Sequence, residues 1–356
     1  MNTATVQPTA EAQPQRPWAV KRSTRMFSAG RLLAFAVAAF GITLVTPLAN
    51  VDGWAIAFLL VNIVWNLGVT SKLGAKERKD ALLRLTITSL GMLAFIPWLS
   101  IFVSVLLKGY RALYPGYFVG DMRVTTPDDE FNMGGAGHAI VGSLIMVAIA
   151  TVVTLPLGIL SGIYLTEVRG RLTFLVRFIV QSMAGVPSVV AGLFIFTTVV
   201  QSMGKYSGLA GGLALAVLML PTVSRTAEEV LKLVPDDLRN AGYALGARQW
   251  RTALMVVLPT VRAGLVTAAI LGIARVIGET APLLLTSLNT NGFVFNPFGG
   301  TVASLPTYIF AMFVYGTEYS TARAWTGSLV LLAFVLFFFL LARRLGGRKT
   351  AVKTKK

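Results

Sequence analysis

Apolar residues run through this chain in long blocks, and eight of those blocks approach the ~20 residues that cross a bilayer as helix. They lie at about 31–49, 53–70, 85–107, 138–165, 178–203, 208–224, 261–288 and 324–344. Polar and basic connections separate them. The predicted fold class is therefore all-α, a polytopic membrane helical bundle of about eight transmembrane helices. The first block follows about 30 mostly polar residues and is itself followed almost at once by a second. It reads as a retained helix and not as a signal peptide.

Composition narrows the class without changing it. Of 356 residues, 55% are hydrophobic and 13% charged, and the mean hydropathy is +0.70. The net charge of +17 would suit nucleic acid if the basic residues gathered on one face, but here they are dispersed between apolar runs. The absence of cysteine removes disulfides, thiolate nucleophiles and Cys-based metal sites.

Charge sets the orientation. Of the 32 Lys and Arg, 26 fall in the N-terminal segment, the loops "SKLGAKERKDALLR" and "TEVRGRLTFLVR", residues 225–262 and the tail "RRLGGRKTAVKTKK". The alternate connections hold Lys108, Arg111, Arg123, Lys205 and Arg323. Both termini are expected to be cytoplasmic. This accounting leaves Arg275 as the one basic residue inside a span and Glu279 as its acidic counterpart.

Those two charges sit in "LGIARVIGETAPLLL", where a central charge costs about 2.5–3.5 kcal/mol on insertion scales. If 261–288 is one helix, Arg275 lies near the bilayer midplane. Gly264, Ala268, Gly272, Arg275, Glu279, Pro282 and Thr286 then share an inward face. Pro282 cannot donate to the carbonyl of Gly278, which adds a free acceptor there. Two readings stand: a self-neutralising pair at i, i+4, or an anion site or gate on a translocation path.

Two further stretches carry information. In "AGVPSVVAGLFIF", Gly185, Pro187 and Ser188 free backbone groups in mid-span, so this backbone faces protein or a water-filled path, or marks a packing kink. Upstream, Gly158 and Gly162 in "PLGILSG" are spaced for close helix approach and read as packing. The segment 224–259 is too polar to span. Within it Pro235 suits a first helical position, Asp236 and Asp237 suit the positive end, and Gly246 suits a left-handed terminator. The resulting helix, near 235–245, sets Leu238, Ala241, Gly242 and Leu245 on a narrow face. That face could dock a partner, or the helix could rest on the membrane or on its own bundle.

The spacing Asn240, Ala241, Gly242, Gly246, Val256, Leu258, Pro259 resembles the signature of binding-protein-dependent ABC importer permeases. Asn240 stands where that family usually has Glu, and Gly242 where it usually has Ala. With "ARVIGETAPLLLT" and "GVPSVVAGLF", the chain resembles the phosphate-specific PstA-type permeases over roughly 85–345. The resemblance implies a six-helix type I ABC importer permease core and a coupling helix, carrying Asn240, Ala241, Gly242, Gly246 and Pro259, docked on an ATPase. It implies a substrate pathway with Arg275, Glu279, Thr280 and Ser188. It also implies a PstC-like permease subunit, a PstB-like ATPase dimer, a PstS-like phosphate-binding protein and a bacterial inner-membrane location.

What the chain lacks agrees with this. No G-x-x-x-x-G-K-[ST] occurs, so no cofactor is expected here and ATP is expected on the partner. One intramembrane carboxylate is poor provision for a proton-coupled carrier. The single histidine, His138, reads as interfacial, and no HExxH or GxSxG supports an enzyme. Sulfate, molybdate or phosphonate remain alternatives to phosphate. The expected division is a tail at 1–30, an extra hairpin and basic loop at 31–84, the permease domain at 85–345 and a basic tail at 346–356.

Overall fold

The computed structural model describes residues 22–45, 51–70 and 74–346, which are helix and loop with no strand among them. Most of the expected N-terminal tail and nearly all of the expected C-terminal tail lie outside the described residues. Two compact units meet between Val103 and Ser104. In the first, α1 (Arg22–Val45) and α2 (Val51–Thr70) pack together. There the Trp54 indole donates to the Ala36 carbonyl at 3.2 Å and Phe35 meets Trp65 edge-on. The boundary falls inside α3 (Ala75–Gly109).

The second unit is organised on α4 (Gly137–Val168) and α7 (Gly208–Lys232). Glycines let the two backbones approach. A Cβ on Gly158 would lie 2.7 Å from Val223, one on Gly162 3.0 Å from Ala227, and one on Gly212 2.7 Å from Ile149. Gly158 and Gly162 are thus packing residues, as their spacing suggested. Met146, Leu215, Met219 and Val223 from this pair close an apolar cluster with Val276, Ile277 and Leu283.

The fifth and seventh apolar blocks are not continuous helices. The fifth is α5 (Thr173–Ala184) and α6 (Ser188–Met203), bent by 109°. Pro187 restarts the chain: its carbonyl accepts from the Val190 and Ala191 amides, while its ring disfavours helix at Val186. Between α7 and the seventh block come α8 (Asp236–Ala244) and α9 (Gln249–Thr260); a 77° bend joins α9 to α10 (Arg262–Val276). The seventh block then stops at Val276 and resumes as α11 (Ala281–Thr286). Pro282 explains this second break, because in an unbroken helix its ring would strike the carbonyl of Gly278. The expectation of one helix over 261–288 is therefore corrected.

Three other differences have local causes. Nothing in "SRTAEEVLK" stops a helix, so α7 continues to Lys232 and carries the start of the expected cytoplasmic segment with it. A helix not anticipated, α12 (Leu305–Tyr315), is only 11 residues long, about 16 Å, too short to cross alone. Arg323, assigned above to a loop, lies inside α13 (Glu318–Gly346) and is 1% exposed. Its guanidinium donates to the carbonyls of Pro127, Asp129, Glu130 and Met133 at 2.6–3.1 Å. Among the described residues, four helices are long and apolar enough to span, or six if each bent pair is one span.

Candidate functional site

The site begins where helices are interrupted. Both breaks feed the same apolar cluster, through Val186 and Ala191 on one side and Val276, Ile277 and Leu283 on the other. They are held together by a close approach: a Cβ on Gly192 of α6 would lie 2.7 Å from the Cα of Pro282 in α11. Ser188, half-buried, is the first residue of α6, and Gly185 and Pro187 beside it are exposed. Thr280 precedes α11, where its carbonyl accepts from the Leu283 and Leu284 amides at 3.1 Å each. Backbone this irregular is stable at membrane depth only against protein or water.

The interruption separates the two charges. Arg275 occupies the last turn of α10 and is exposed, whereas Glu279 lies in the break and is half-buried. They form no ion pair with each other or with any other described residue. The self-neutralising pair is therefore not what the fold builds. Arg275 instead lines a cleft of about 340 Å³ with Pro221, Thr222, Arg225, Thr226 and Glu229 of α7. Arg225 and Glu229 also line a second cleft of about 200 Å³ beside it, where Glu228 pairs with Arg177 at 2.9 Å and Lys232 at 2.7 Å. Two guanidiniums, two threonines and one carboxylate thus line one open cleft. Such a set can hold a tetrahedral oxyanion through paired N–H donors.

The α8 region follows its expected design and adds an element that spacing did not reveal. Pro235 sits at the N-cap, one residue before the first helical position expected of it, Asp236 and Asp237 occupy the first turn, and Gly246 adopts φ +78°, the left-handed conformation that favours glycine. Asn240, Ala241 and Leu245 are exposed, with Leu245 89% accessible. Gly242 is not part of that free face. It is buried against α9, where a Cβ would lie 3.0 Å from Thr252. Pro259 is exposed near the end of α9, just before the 77° bend.

Arg239 ties α8 to the bundle. Its Nε lies 3.2 Å from both carboxylate oxygens of Glu167, at the end of α4, and its Nη2 donates to Glu167 at 2.9 Å. The same guanidinium donates to the Leu231 and Val234 carbonyls at the end of α7. The hydrogen bonds to the Glu167 carboxylate, together with the negative charges of Glu167 and Asp236, hold the Arg239 pKa above its ordinary value. Gln249 of α9 donates to the Glu167 carbonyl at 2.5 Å.

The sequence reading missed Arg225, Glu229, Glu167 and Arg239 as site residues because it counted them as loop charge. The signal available was the unbroken helical run from 208 to Lys232, which carries Arg225 and Glu229 onto the bundle wall.

The sequence profile of the family described as "Binding-protein-dependent transport system inner membrane component" matches residues 154–350. The chain is similar to "Phosphate transport system permease protein PstA" of Yersinia pestis, 39% identical over 279 residues, 77% of this chain and 92% of that protein. A similar relative from Pasteurella multocida is 37% identical over 264 residues, 73% and 92% of the two chains. "Phosphate transport system permease protein PstA 1" of Mycobacterium tuberculosis is 38% identical over 247 residues, 68% and 81% of the two chains.

Proposed function

This chain belongs to the family of binding-protein-dependent transport system inner membrane components, and from that premise we propose how it conducts inorganic phosphate for an ATP-driven importer. It is a transport subunit and not an enzyme. It works with an ATPase subunit and a binding protein. In our reading these are PstB-like and PstS-like, a PstC-like permease completes the pore, ATP is held by the ATPase alone, and both termini of the chain are cytoplasmic.

The observation that carries the phosphate reading is the cleft in which Arg225 and Arg275 converge on one water-accessible space between α7 and α10. Arginine stays charged and offers a planar fork to an oxyanion. Glu229 in the same cleft accepts hydrogen bonds only. Phosphate at neutral pH retains a proton to donate to it, whereas sulfate has none, so the carboxylate favours phosphate. Glu279, Thr280 and Ser188 stand at the two breaks, where the pathway is gated in our reading. The exposed face of α8, with Asn240, Ala241 and Leu245, meets the ATPase, while Gly242, Gly246 and Pro259 shape that helix and its exit.

Reconstitution with an ATPase and a second permease subunit, followed by ATP-dependent uptake of labelled phosphate against sulfate and molybdate, tests this. Phosphate is expected to be taken up, with Glu229→Gln narrowing its advantage over sulfate. Uptake driven by an ion gradient without the ATPase would refute the reading.

A further inference from the structure

At the end of the bundle opposite α8, the last turn of α3 and the first turns of α13 enclose a cleft of about 420 Å³ lined by Leu107, Lys108, Arg111, Glu318, Thr321 and Trp325. It lies far along the chain from both helix breaks and shares no residue with the arginine cleft. Lys108, Arg111 and Glu318 are all exposed, and none of them forms an ion pair in the described residues. The Lys108 ammonium sits 4.9 Å above the Trp325 ring, a cation–π arrangement that fixes it over the mouth.

The surroundings are apolar. Leu106, Leu107 and Tyr110 on one side and Phe313, Val314 and Tyr315 on the other are exposed large hydrophobic residues. A rim of aromatic and long basic side chains above an apolar wall is the pattern of a membrane–water boundary. The cleft thus joins a surface suited to acyl chains to a head space holding two cations and one carboxylate.

We propose that this cleft binds one phospholipid with a phosphoethanolamine headgroup, Lys108 and Arg111 taking the phosphodiester and Glu318 the primary ammonium. Charge complementarity selects this occupant. Free phosphate would engage the cations, and its remaining proton could be donated to Glu318, but it would leave the apolar wall bare. An anionic headgroup without an amine meets the same carboxylate. A choline headgroup brings a positive charge with no N–H to donate. The amine-bearing zwitterion places a charged donor on the carboxylate, where a hydroxyl headgroup offers at most a neutral one, together with an acceptor on each cation and acyl chains on the leucines. The inference does not depend on what the permease transports.

The test is native mass spectrometry of the full chain, purified in mild detergent and exchanged into an equimolar mixture of dioleoyl phosphatidylethanolamine and dioleoyl phosphatidylcholine. Wild type is expected to retain one lipid per chain, with at least about a fivefold preference for ethanolamine. Lys108→Gln with Arg111→Gln should lose that lipid while keeping its thermal midpoint in excess detergent. Glu318→Gln should keep a lipid but with the preference reduced to about one. Equal retention of both lipids by wild type overturns the proposal, as does retention unchanged in the double variant. So does labelled inorganic phosphate that displaces the lipid at millimolar concentration, which would make the cleft an entry site for the free anion. Loss of lipid only when a binding protein docks there would equally assign the surface to a protein.

Discussion

Replacing Arg239 by Met isolates the tie between α8 and the bundle. Arg239 is 14% exposed and Glu167 3% exposed at the side chain, so the substitution strands a carboxylate that has almost no access to water. Breaking a buried pair from one side costs about 3–5 kcal/mol, whereas an exposed pair is worth about 0–1 kcal/mol. Asp236, the other carboxylate on Arg239, is 87% exposed and belongs to the second class. The expected loss is therefore set by Glu167. For a domain of this size each kcal/mol moves the thermal midpoint by about 2–4 °C, which gives a drop of about 6–20 °C. Glu167→Leu together with Arg239→Met removes the stranded charge and should recover most of the stability, because the cost lies in isolation and not in the pair itself. The two variants part company in function. In the double variant α8 is no longer bonded to the ends of α4 and α7, so ATP hydrolysis should continue while phosphate uptake per ATP falls. The assays are thermal unfolding in detergent and the uptake-to-hydrolysis ratio in proteoliposomes. A loss below about 1 kcal/mol in Arg239→Met, or a double variant that is simply the sum of its singles, would refute the buried-latch argument. An unchanged ratio would refute the transmission role.

Leu245→Asp places a charge on the free face of α8 and should abolish copurification of the ATPase with no change in thermal midpoint. Gly242→Trp should lower that midpoint first, by the ~1–3 kcal/mol of overpacking, since any side chain there meets Thr252. Arg275→Met should fold and assemble normally, being exposed, and cut phosphate uptake about 10- to 100-fold if one charged hydrogen bond worth ~1.5–3 kcal/mol is lost in transit; uptake near wild type removes Arg275 from the pathway. Asp129 accepts from the Thr126 amide at 2.7 Å, and this bond holds its pKa below the ordinary value. Its contribution is thus present above about pH 4 and lost as pH falls through the lowered value, so the difference in midpoint between wild type and Asp129→Asn should shrink towards pH 3. A difference that grows on acidification contradicts the sign.

The long apolar helices were legible in the sequence because block length and hydropathy report burial in lipid directly, whereas α12, 11 residues long, is too short to give that signal. Cap chemistry was legible as well: Asp236, Asp237 and Gly246 appear where local backbone rules put them, and Pro235 one residue earlier, at the N-cap. Tertiary bonds were not. Arg239 and Glu167 are 72 residues apart in sequence, and no local pattern announces a bond between them. Arg323 looked like loop charge because its partners are backbone carbonyls, which carry no sequence signature. Arg275 and Glu279 were read on a continuous helix, and that reading overlooked that Pro282, used only to count a missing donor, also forbids the preceding turn.

The two broken spans bear on how the chain enters the membrane. The 12 residues of α5 and the 15 of α10 are about 18 and 22 Å long, short of the ~30 Å hydrocarbon core. Neither can settle as a spanning segment when it leaves the insertion machinery, and the irregular backbone that follows each is stable at membrane depth only against protein or water. These segments must wait at the protein-lined exit until α4 and α7 are in place to receive them. Insertion order should then depart from chain order, and a copy without its transport partners keeps Gly185 and Pro187 exposed. The abundance of this subunit should therefore follow the synthesis of its partners more closely than its own.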